Sequence, residues 1–382
     1  MGKGRGMGYV GTRHGMESSG RQAGNDRPTA SEAGDRTKET VMSLRHYGCA
    51  VWGCGWVASG HINAYLKNSQ CSVVGLGSRS PESVAAKQQE FGIETAVYAD
   101  FDELLADDRV DIVSICTPNH LHADEAIRAA KAGKHIFLEK PIAISEGDIQ
   151  QLCEVVQETG VKTVVAFVLR FNPLVKLQRK LVADGELGRV FLLNVDYWFG
   201  RERLGWMKER ECSGGAFILG GCHSVDAARF IMGEDIVAVR GSAVQVGTHY
   251  GYPPVETAQV TFANGAIGAF SCSLEGCSPF TANVHILGEN GTIVNDRFFL
   301  RKFEGQADYF TMDTGYRQTG DVYGHPFPAV VDHFVECINS DTESPHNLFD
   351  AVNSHLCCLA IRKSAEAGGR QVTIDGQSLR LE

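Results

Sequence analysis

The chain predicts an α/β protein of two domains: a doubly wound parallel sheet, then a second α/β domain built on a broad, mainly antiparallel sheet. Three observations carry this. An apolar run, Tyr47–Trp52, feeds a glycine-rich turn and then a helical stretch. Up to residue 168, apolar strand-like runs alternate with helical segments, as in a parallel sheet. From residue 236 onward alternating strands dominate, with hairpin signals at Asn264-Gly265 and Asn290-Gly291.

The 382 residues suffice for two domains, and 43% apolar with 21% charged residues is a soluble composition. A net charge of −10 argues against a nucleic-acid partner, which needs a basic face. No run reaches the roughly 18 apolar residues a membrane helix needs. Twelve cysteines without any Cys-x-x-Cys pair, most inside apolar runs, read as reduced buried thiols in a cytoplasmic protein. Residues 1–45, rich in Gly, Arg and Ser and without apolar periodicity, read as a disordered extension that lacks the apolar stretch of a secretory signal. The domains expected are 46–168 and 169–382.

The elements follow in order. After the first strand comes Gly53-Cys54-Gly55-Trp56-Val57-Ala58, the GxGxxA variant of the dinucleotide fingerprint. Gly53 permits the turn, Gly55 lets a pyrophosphate approach the backbone, and Ala58 lets helix and strand pack closely. The helix N-terminus then offers unpaired N–H groups to the phosphates. A second strand, Ser72–Gly77, ends in Ser78-Arg79, where an NAD-preferring site would carry an acid for the ribose hydroxyl. Serine and arginine suit a 2′-phosphate, so NADP is favoured over NAD. Asp111–Cys116 is a buried strand ending at Thr117-Pro118-Asn119-His120, and His122–Ala132 is helical with Gly133 as its stop. The next strand delivers Glu139-Lys140-Pro141 to the sheet edge; Pro141 cannot donate to a ladder, so pairing weakens where the lysine emerges. Ser145 caps a helix running to about Glu158, and Val161–Val168 is the last strand of this half.

In the second half, Arg170-Phe171-Asn172-Pro173 opens a helix, and Arg189–Trp198 is a strand. A polar loop with Arg201, Arg203, Trp206 and Lys208 suits a sugar, whose ring stacks on an aromatic face while polar groups read its hydroxyls. Ser213-Gly214-Gly215-Ala216 introduces a helix through Phe230 that carries His223 and Asp226, three apart and therefore on one face. His325 lies on a loop within reach of the same pocket.

These motifs together resemble the glucose–fructose oxidoreductase / inositol dehydrogenase / MocA (Gfo/Idh/MocA) family. The carrying residues are Gly53 to His61, Thr117 to His122, Glu139-Lys140-Pro141, and Gly214-Gly215-Ala216 through His223 and Asp226, in order and spacing across about 320 residues. The resemblance implies an N-terminal Rossmann domain and a C-terminal domain with a large open sheet, often used to form a homodimer or homotetramer. It implies NAD(P)-dependent oxidation or reduction at a carbon of a sugar, glycoside or polyol. Lys140 and His223 would be catalytic. Gly53, Gly55, Trp56, Val57, Ser78, Arg79, Thr117, Asn119, His122, Glu139, Lys140 and Arg170 would meet the cofactor. Lys140, Trp206, His223, Asp226 and His325 would meet the substrate, with Asp226 an orienting partner rather than a base. No metal is expected: His120 and His122 have no matching ligand set.

One position departs. Relatives usually carry Asp four residues before this histidine, where this chain has Leu219. Two further readings therefore stand beside the dehydrogenase. One is a redox-type glycosidase holding NAD tightly and working by transient C3 oxidation and elimination. The other is a regulator that binds cofactor and sugar without turnover. For the dehydrogenase, His223 is the general acid/base, since imidazole starts near ~6.5, and Lys140 polarises the hydroxyl.

Overall fold

The computed structural model describes residues 45–199, 205–315 and 322–382. The expected extension up to residue 44, Arg201 and Arg203 lie outside the described residues. The first sheet contains β1 (Tyr47–Trp52), β2 (Cys71–Gly77), β3 (Ala96–Tyr98), β4 (Ile112–Ile115), β5 (His135–Leu138) and β6 (Thr163–Val165). All are parallel, in the order β3-β2-β1-β4-β5-β6. The crossovers are α1 (Ala58–Lys67), α2 (Pro81–Phe91), α3 (Phe101–Ala106), α4 (His122–Lys131) and α5 (Glu146–Thr159). Ser80, Asp100 and Ser145 accept main-chain N–H bonds at the starts of α2, α3 and α5. The strand order reverses between β1 and β4, which opens a crevice at their carboxyl ends.

The second half runs α6 (Pro173–Ala183), β7 (Val190–Trp198), α7 (Arg210–Ser213), α8 (Cys222–Met232), then β8 (Ile236–Val244), β9 (Val255–Phe262), β10 (Ile267–Ser273), β11 (Thr281–Gly288), β12 (Gly291–Val294), β13 (Arg297–Leu300) and β14 (Phe310–Thr311). It ends with α9 (Phe327–Asn339), α10 (Leu348–Glu366), β15 (Val372–Asp375) and β16 (Ser378–Leu381). The ten strands form one sheet, β14-β13-β12-β11-β7-β10-β9-β8-β15-β16, in which β7 and β10 are parallel. Alternation decides its faces. Val195, Tyr197, Phe270 and Cys272 point at α8 and α10 and are buried, and each large apolar side chain so covered contributes about 1.5–3 kcal/mol. Arg240, Thr257, Gln259 and Ile267 point the other way and are exposed.

Three features depart from the sequence-based expectation. The helix expected from Gly214 to Phe230 is broken: α7 stops at Gly214 (φ +88°), Gly215 follows at φ +110°, and a π-helical turn, Phe217–Gly221, precedes α8. A side chain at Gly220 would sit 2.5 Å from the Phe199 ring, so this turn packs too closely for anything larger. The β15–β16 hairpin was not anticipated, although Asp375-Gly376 (Gly376 at φ +57°) is its turn signal. And α9 returns to the first sheet: Val330, Val331, Phe334 and Val335 share a buried cluster with Ala58, Ile62 and Tyr65 of α1. All twelve cysteines are free thiols.

Candidate active site

At the end of β1 the chain turns through Gly53, at φ +95°, where a Cβ would lie 2.7 Å from the Cys116 carbonyl. Gly55 has open space where its Cβ would be. Ala58 is fully buried against the sheet. Unlike α2, α3 and α5, α1 begins without a side-chain cap and without an acid in its first turn. Its leading N–H groups therefore face the crevice beside an open glycine, a donor set that fits a pyrophosphate. Trp56, 61% exposed, stands at the mouth, its ring edge-on to His325 with centroids 6.2 Å apart. Val57 precedes the first residue of α1.

At the end of β2, Ser78 Oγ accepts from the Ser80 amide (3.2 Å) and the Ser83 hydroxyl (3.0 Å). Arg79 is exposed and makes no ion pair among the described residues. Thr117 donates to Glu125 Oε2 at 2.5 Å, and Trp52 donates to the other oxygen at 2.8 Å. Burial pushes the Glu125 carboxyl upward.

Lys140 leaves β5 partly buried, and its Nζ donates to the main-chain carbonyl of Leu219 at 3.3 Å. That carbonyl belongs to the π-turn; such turns recur at functional sites because they offset carbonyls from the regular i→i−4 ladder. His223 follows on the first turn of α8. Its Nδ1 is buried without a hydrogen-bond partner. Burial first, then the charges of Lys140, His325 and His355, hold the imidazole well below its usual range, so it is neutral at pH 7. Lys140 and His223 thus converge from residues 83 apart in sequence, and His325 joins them from the loop before α9. Tyr197 stands 5.9 Å from the His223 ring and stacks edge-on with Phe199 and Phe280, at 5.0 and 5.2 Å. Leu219 itself is 8% exposed.

Six residues expected at the cofactor or substrate turn to partners within the protein. Arg170, 2% exposed, grips Asp226 through Nε (2.7 Å) and Nη2 (2.5 Å), while its Nη1 meets Asp350 at 2.5 Å and the Pro345 carbonyl at 3.3 Å. Asp226 also accepts from Ser354 at 2.9 Å. Both charges are spent inside the protein, so neither the cofactor role expected of Arg170 nor the substrate role expected of Asp226 has a free polar atom to serve it. His122, 1% exposed, lies between the carbonyls of Pro141 (2.6 Å) and Thr117 (2.8 Å) and clamps two crevice turns together. Asn119 donates to the Ser213 carbonyl at 2.8 Å and ties the first half to the second. Glu139 turns inward to His61, 3.0 Å away. Trp206 is half-buried against the apolar core in a 3₁₀ turn, Gly205–Lys208.

Sequence reasoning gave His61 no role, although His61 and Tyr65 are four apart on the inner face of α1. It also missed Tyr197, Phe199 and Phe280 as a group; only sheet register brings them to His223. Among the described residues no cluster of His, Cys, Asp and Glu could hold a metal, and no helix is long and apolar enough to cross a membrane.

Residues 47–167 match the family described as "Oxidoreductase family, NAD-binding Rossmann fold" (GFO_IDH_MocA), and residues 175–294 match the GFO/IDH/MocA C-terminal domain. The chain is 30% identical over 294 residues to levoglucosan dehydrogenase of Pseudarthrobacter phenanthrenivorans, covering 67% of this chain and 75% of that protein. It is 30% identical over 251 residues to scyllo-inositol 2-dehydrogenase (NAD(+)) of Bacillus subtilis, covering 64% and 72%. Among solved structures it resembles aldose-aldose oxidoreductase from Caulobacter crescentus complexed with glycerol, with TM-score 0.76 and 26% identity over 86% of this chain and all of that one. A levoglucosan dehydrogenase complexed with NADH and levoglucosan shares the fold, with TM-score 0.78 and 24% identity over 87% of this chain and 100% of that one.

Proposed function

The chain belongs to the Gfo/Idh/MocA oxidoreductase family, whose N-terminal domain is an NAD-binding Rossmann fold, and on that premise we propose that it moves a hydride between a nicotinamide and a hydroxyl-bearing carbon of a sugar, glycoside or polyol. The observation that carries the reading is the meeting of Lys140 with His223 beside the crevice that the fingerprint turn opens. The open Gly55 and the uncapped start of α1 would hold the pyrophosphate of a dinucleotide, with Trp56 and Val57 flanking it. Bound there, the nicotinamide supplies the hydride acceptor or donor. In the oxidising direction the neutral imidazole of His223 takes the hydroxyl proton, which burial and the nearby cations keep it free to do. Lys140, anchored on the Leu219 carbonyl, presents its remaining N–H groups to the oxygen as negative charge grows there. Tyr197, Phe199 and Phe280 wall the His223 side with aromatic surface suited to the apolar face of a sugar ring.

The end of β2 supports NADP(H) over NAD(H), because the exposed Arg79 is unpaired among the described residues and no acid precedes it. The regulator reading rested on Leu219, yet Lys140 keeps an anchor at that residue through its main chain. The open sheet face supports a homodimer or homotetramer.

The test is a panel of polyols, aldoses and anhydrosugars with NAD⁺ and NADP⁺, read by absorbance of the reduced nicotinamide, for the native chain and Lys140→Ala. Cofactor reduction with at least one sugar, abolished by Lys140→Ala, is expected. Full turnover in Lys140→Ala, or sugar and cofactor binding with no turnover across the panel, would overturn the assignment.

A further inference from the structure

A buried chain of hydrogen bonds runs beneath Lys140, and the hydride-transfer reading does not use it. Tyr65 Oη lies 2.7 Å from Ser114 Oγ, Ser114 Oγ 2.9 Å from His61 Nδ1, and His61 Nε2 3.0 Å from Glu139 Oε1. Glu139 Oε2 then accepts the Lys140 amide N–H at 3.2 Å. Tyr65, Ser114 and His61 are fully covered, and Glu139 is 6% exposed. The imidazole of His61 is wedged between Phe137 of β5 and Phe327 of α9, with centroids 4.2 and 4.7 Å away. Three secondary elements of the first half and one from the second therefore fix this ring.

Hydrogen-bond counting gives the chain one direction. Burial pushes the Glu139 carboxyl up, but the His61 hydrogen bond, then the Lys140 ammonium, outweigh it and hold the carboxyl below its usual range. Ionised Glu139 can only accept, so His61 carries its proton on Nε2. Nδ1 then accepts from Ser114, and Ser114 accepts from Tyr65, whose phenol burial pushes upward and so keeps as a donor. Every polar group in the chain is satisfied, as a buried network requires. The titratable groups facing Glu139 are His61 from α1, His122 from α4, Cys116 at the end of β4, Cys222 at the start of α8, and the neighbouring Lys140.

We infer that His61 is a positioning residue of the active site: with Ser114 and Tyr65 behind it, it holds Glu139 ionised and turned inward, and through the Lys140 amide it sets the direction in which Lys140 leaves β5 toward the Leu219 carbonyl. The inference rests on the proposed hydride transfer for its kinetic consequence but not for its electrostatic one. Without the Nε2–H donor, Glu139 loses its strongest charge-favouring partner and Lys140 loses the restraint on its backbone.

The experiment compares His61→Gln, which keeps an N–H where Nε2 stood, with His61→Leu, which removes it, and with Ser114→Ala, which breaks the chain one bond further away. Glutamate carboxyl ¹³C shifts, followed against pH in the unliganded protein, report Glu139 without any turnover. His61→Leu is expected to move the Glu139 titration upward, Ser114→Ala to move it less, and His61→Gln to stay near the native chain. With the best sugar, His61→Leu is expected to lower kcat by about 10²-fold, the scale of an ångström-size misplacement, with cofactor KM nearly unchanged and most activity regained in His61→Gln. An unmoved Glu139 titration in both His61→Leu and Ser114→Ala would overturn the inference, as would His61→Gln no better than His61→Leu in kcat. Should His61→Leu fail to fold, Ser114→Ala carries the test. A chain that turns over no sugar sinks the hydride-transfer reading and leaves the carboxyl titration to decide this one.

Discussion

Replacing Asp226 with asparagine separates a structural charge from a substrate ligand. The carboxylate and the Arg170 guanidinium have side chains 1% and 2% exposed, so almost no water screens them. They meet in a two-pronged contact, with Ser354 as a further donor to Asp226. Arg170 is held over Phe167 and Phe230, at 5.6 and 5.5 Å from the ring centroids, so it cannot swing out to solvent without undoing that packing. Removing one member of such a pair typically costs about 3–5 kcal/mol, because the other charge is left buried and alone, against about 0–1 kcal/mol for a surface pair. Asp350, 37% exposed, remains as a second counter-charge for Arg170, which places the expected loss near the lower end, at about 3 kcal/mol. Urea unfolding of Asp226→Asn measures it, with turnover per folded molecule read in parallel. The double variant Arg170→Met with Asp226→Leu should lose less than either single change, since neither buried member of the pair is left alone and the part-exposed Asp350 keeps Arg229 at 3.8 Å. A stability loss under about 1 kcal/mol together with a large rise in sugar KM would refute this reasoning and restore Asp226 to the substrate pocket.

The remaining predictions concern chemistry, cofactor and acid stability. His223→Asn should lower kcat/KM for sugar oxidation by about 10²- to 10⁴-fold, the usual yield of a positioned base, with cofactor affinity near the native value; a loss under tenfold would remove His223 from that role. Arg79→Ala should raise KM for NADP⁺ more than for NAD⁺, and equal changes in both would detach Arg79 from the 2′-phosphate. Six histidines, 122, 135, 223, 333, 346 and 355, are depressed below their usual value, each chiefly by burial, with His355 at about 4 and His346 at about 3. The unfolded chain therefore takes up protons before the folded one, so stability is full above about pH 6.5 and falls as pH drops below it, by up to about 1.4 kcal/mol per pH unit for each fully buried ring. Glu125 and Glu256, raised chiefly by burial, the latter to about 7, act in the opposite sense but are fewer. Urea midpoints at pH 7.5 and 5.5 check the sum, and a midpoint that rises on acidification would contradict it.

What the sequence discloses divides by range. Local signals were legible: the fingerprint turn, the cap at Ser145, the Asn-Gly hairpins and the lysine at the β5 end all follow from residues within one turn or strand. The parallel strands from β4 to β6 followed from apolar runs and helix spacing, whereas β3 is three residues long and carried too little pattern. Pairings between distant residues were not legible. Arg170 and Asp226 stand 56 positions apart, and nothing near either one shows that the other neutralises it. The break of the expected helix into α7, a π-turn and α8 was hidden for a related reason. Gly214 can be read as a stop or as an entry, and the choice is made by Ile218, Ile144 and Phe199 packing against the glycines.

Leu219 shows why a motif can lose a side chain and keep its geometry. A carboxylate at that position would offer Lys140 a partner of opposite charge; the chain offers it a main-chain carbonyl from the same residue, 3.3 Å away. That acceptor exists because the backbone runs through a π-turn there, and the π-turn is held by close packing of Gly220 on Phe199 and Gly221 on Phe217. The substitution also changes the electrostatics of the site. A carbonyl does not titrate and carries no net charge, so no acid at position 219 favours a proton on His223, and after burial it is the Lys140 ammonium that most disfavours one. A neutral imidazole with an unpartnered buried nitrogen follows directly. It is the state from which the base proposed at His223 must start when a hydroxyl is to be oxidised, so the departure at Leu219 supports that proposal rather than removing it.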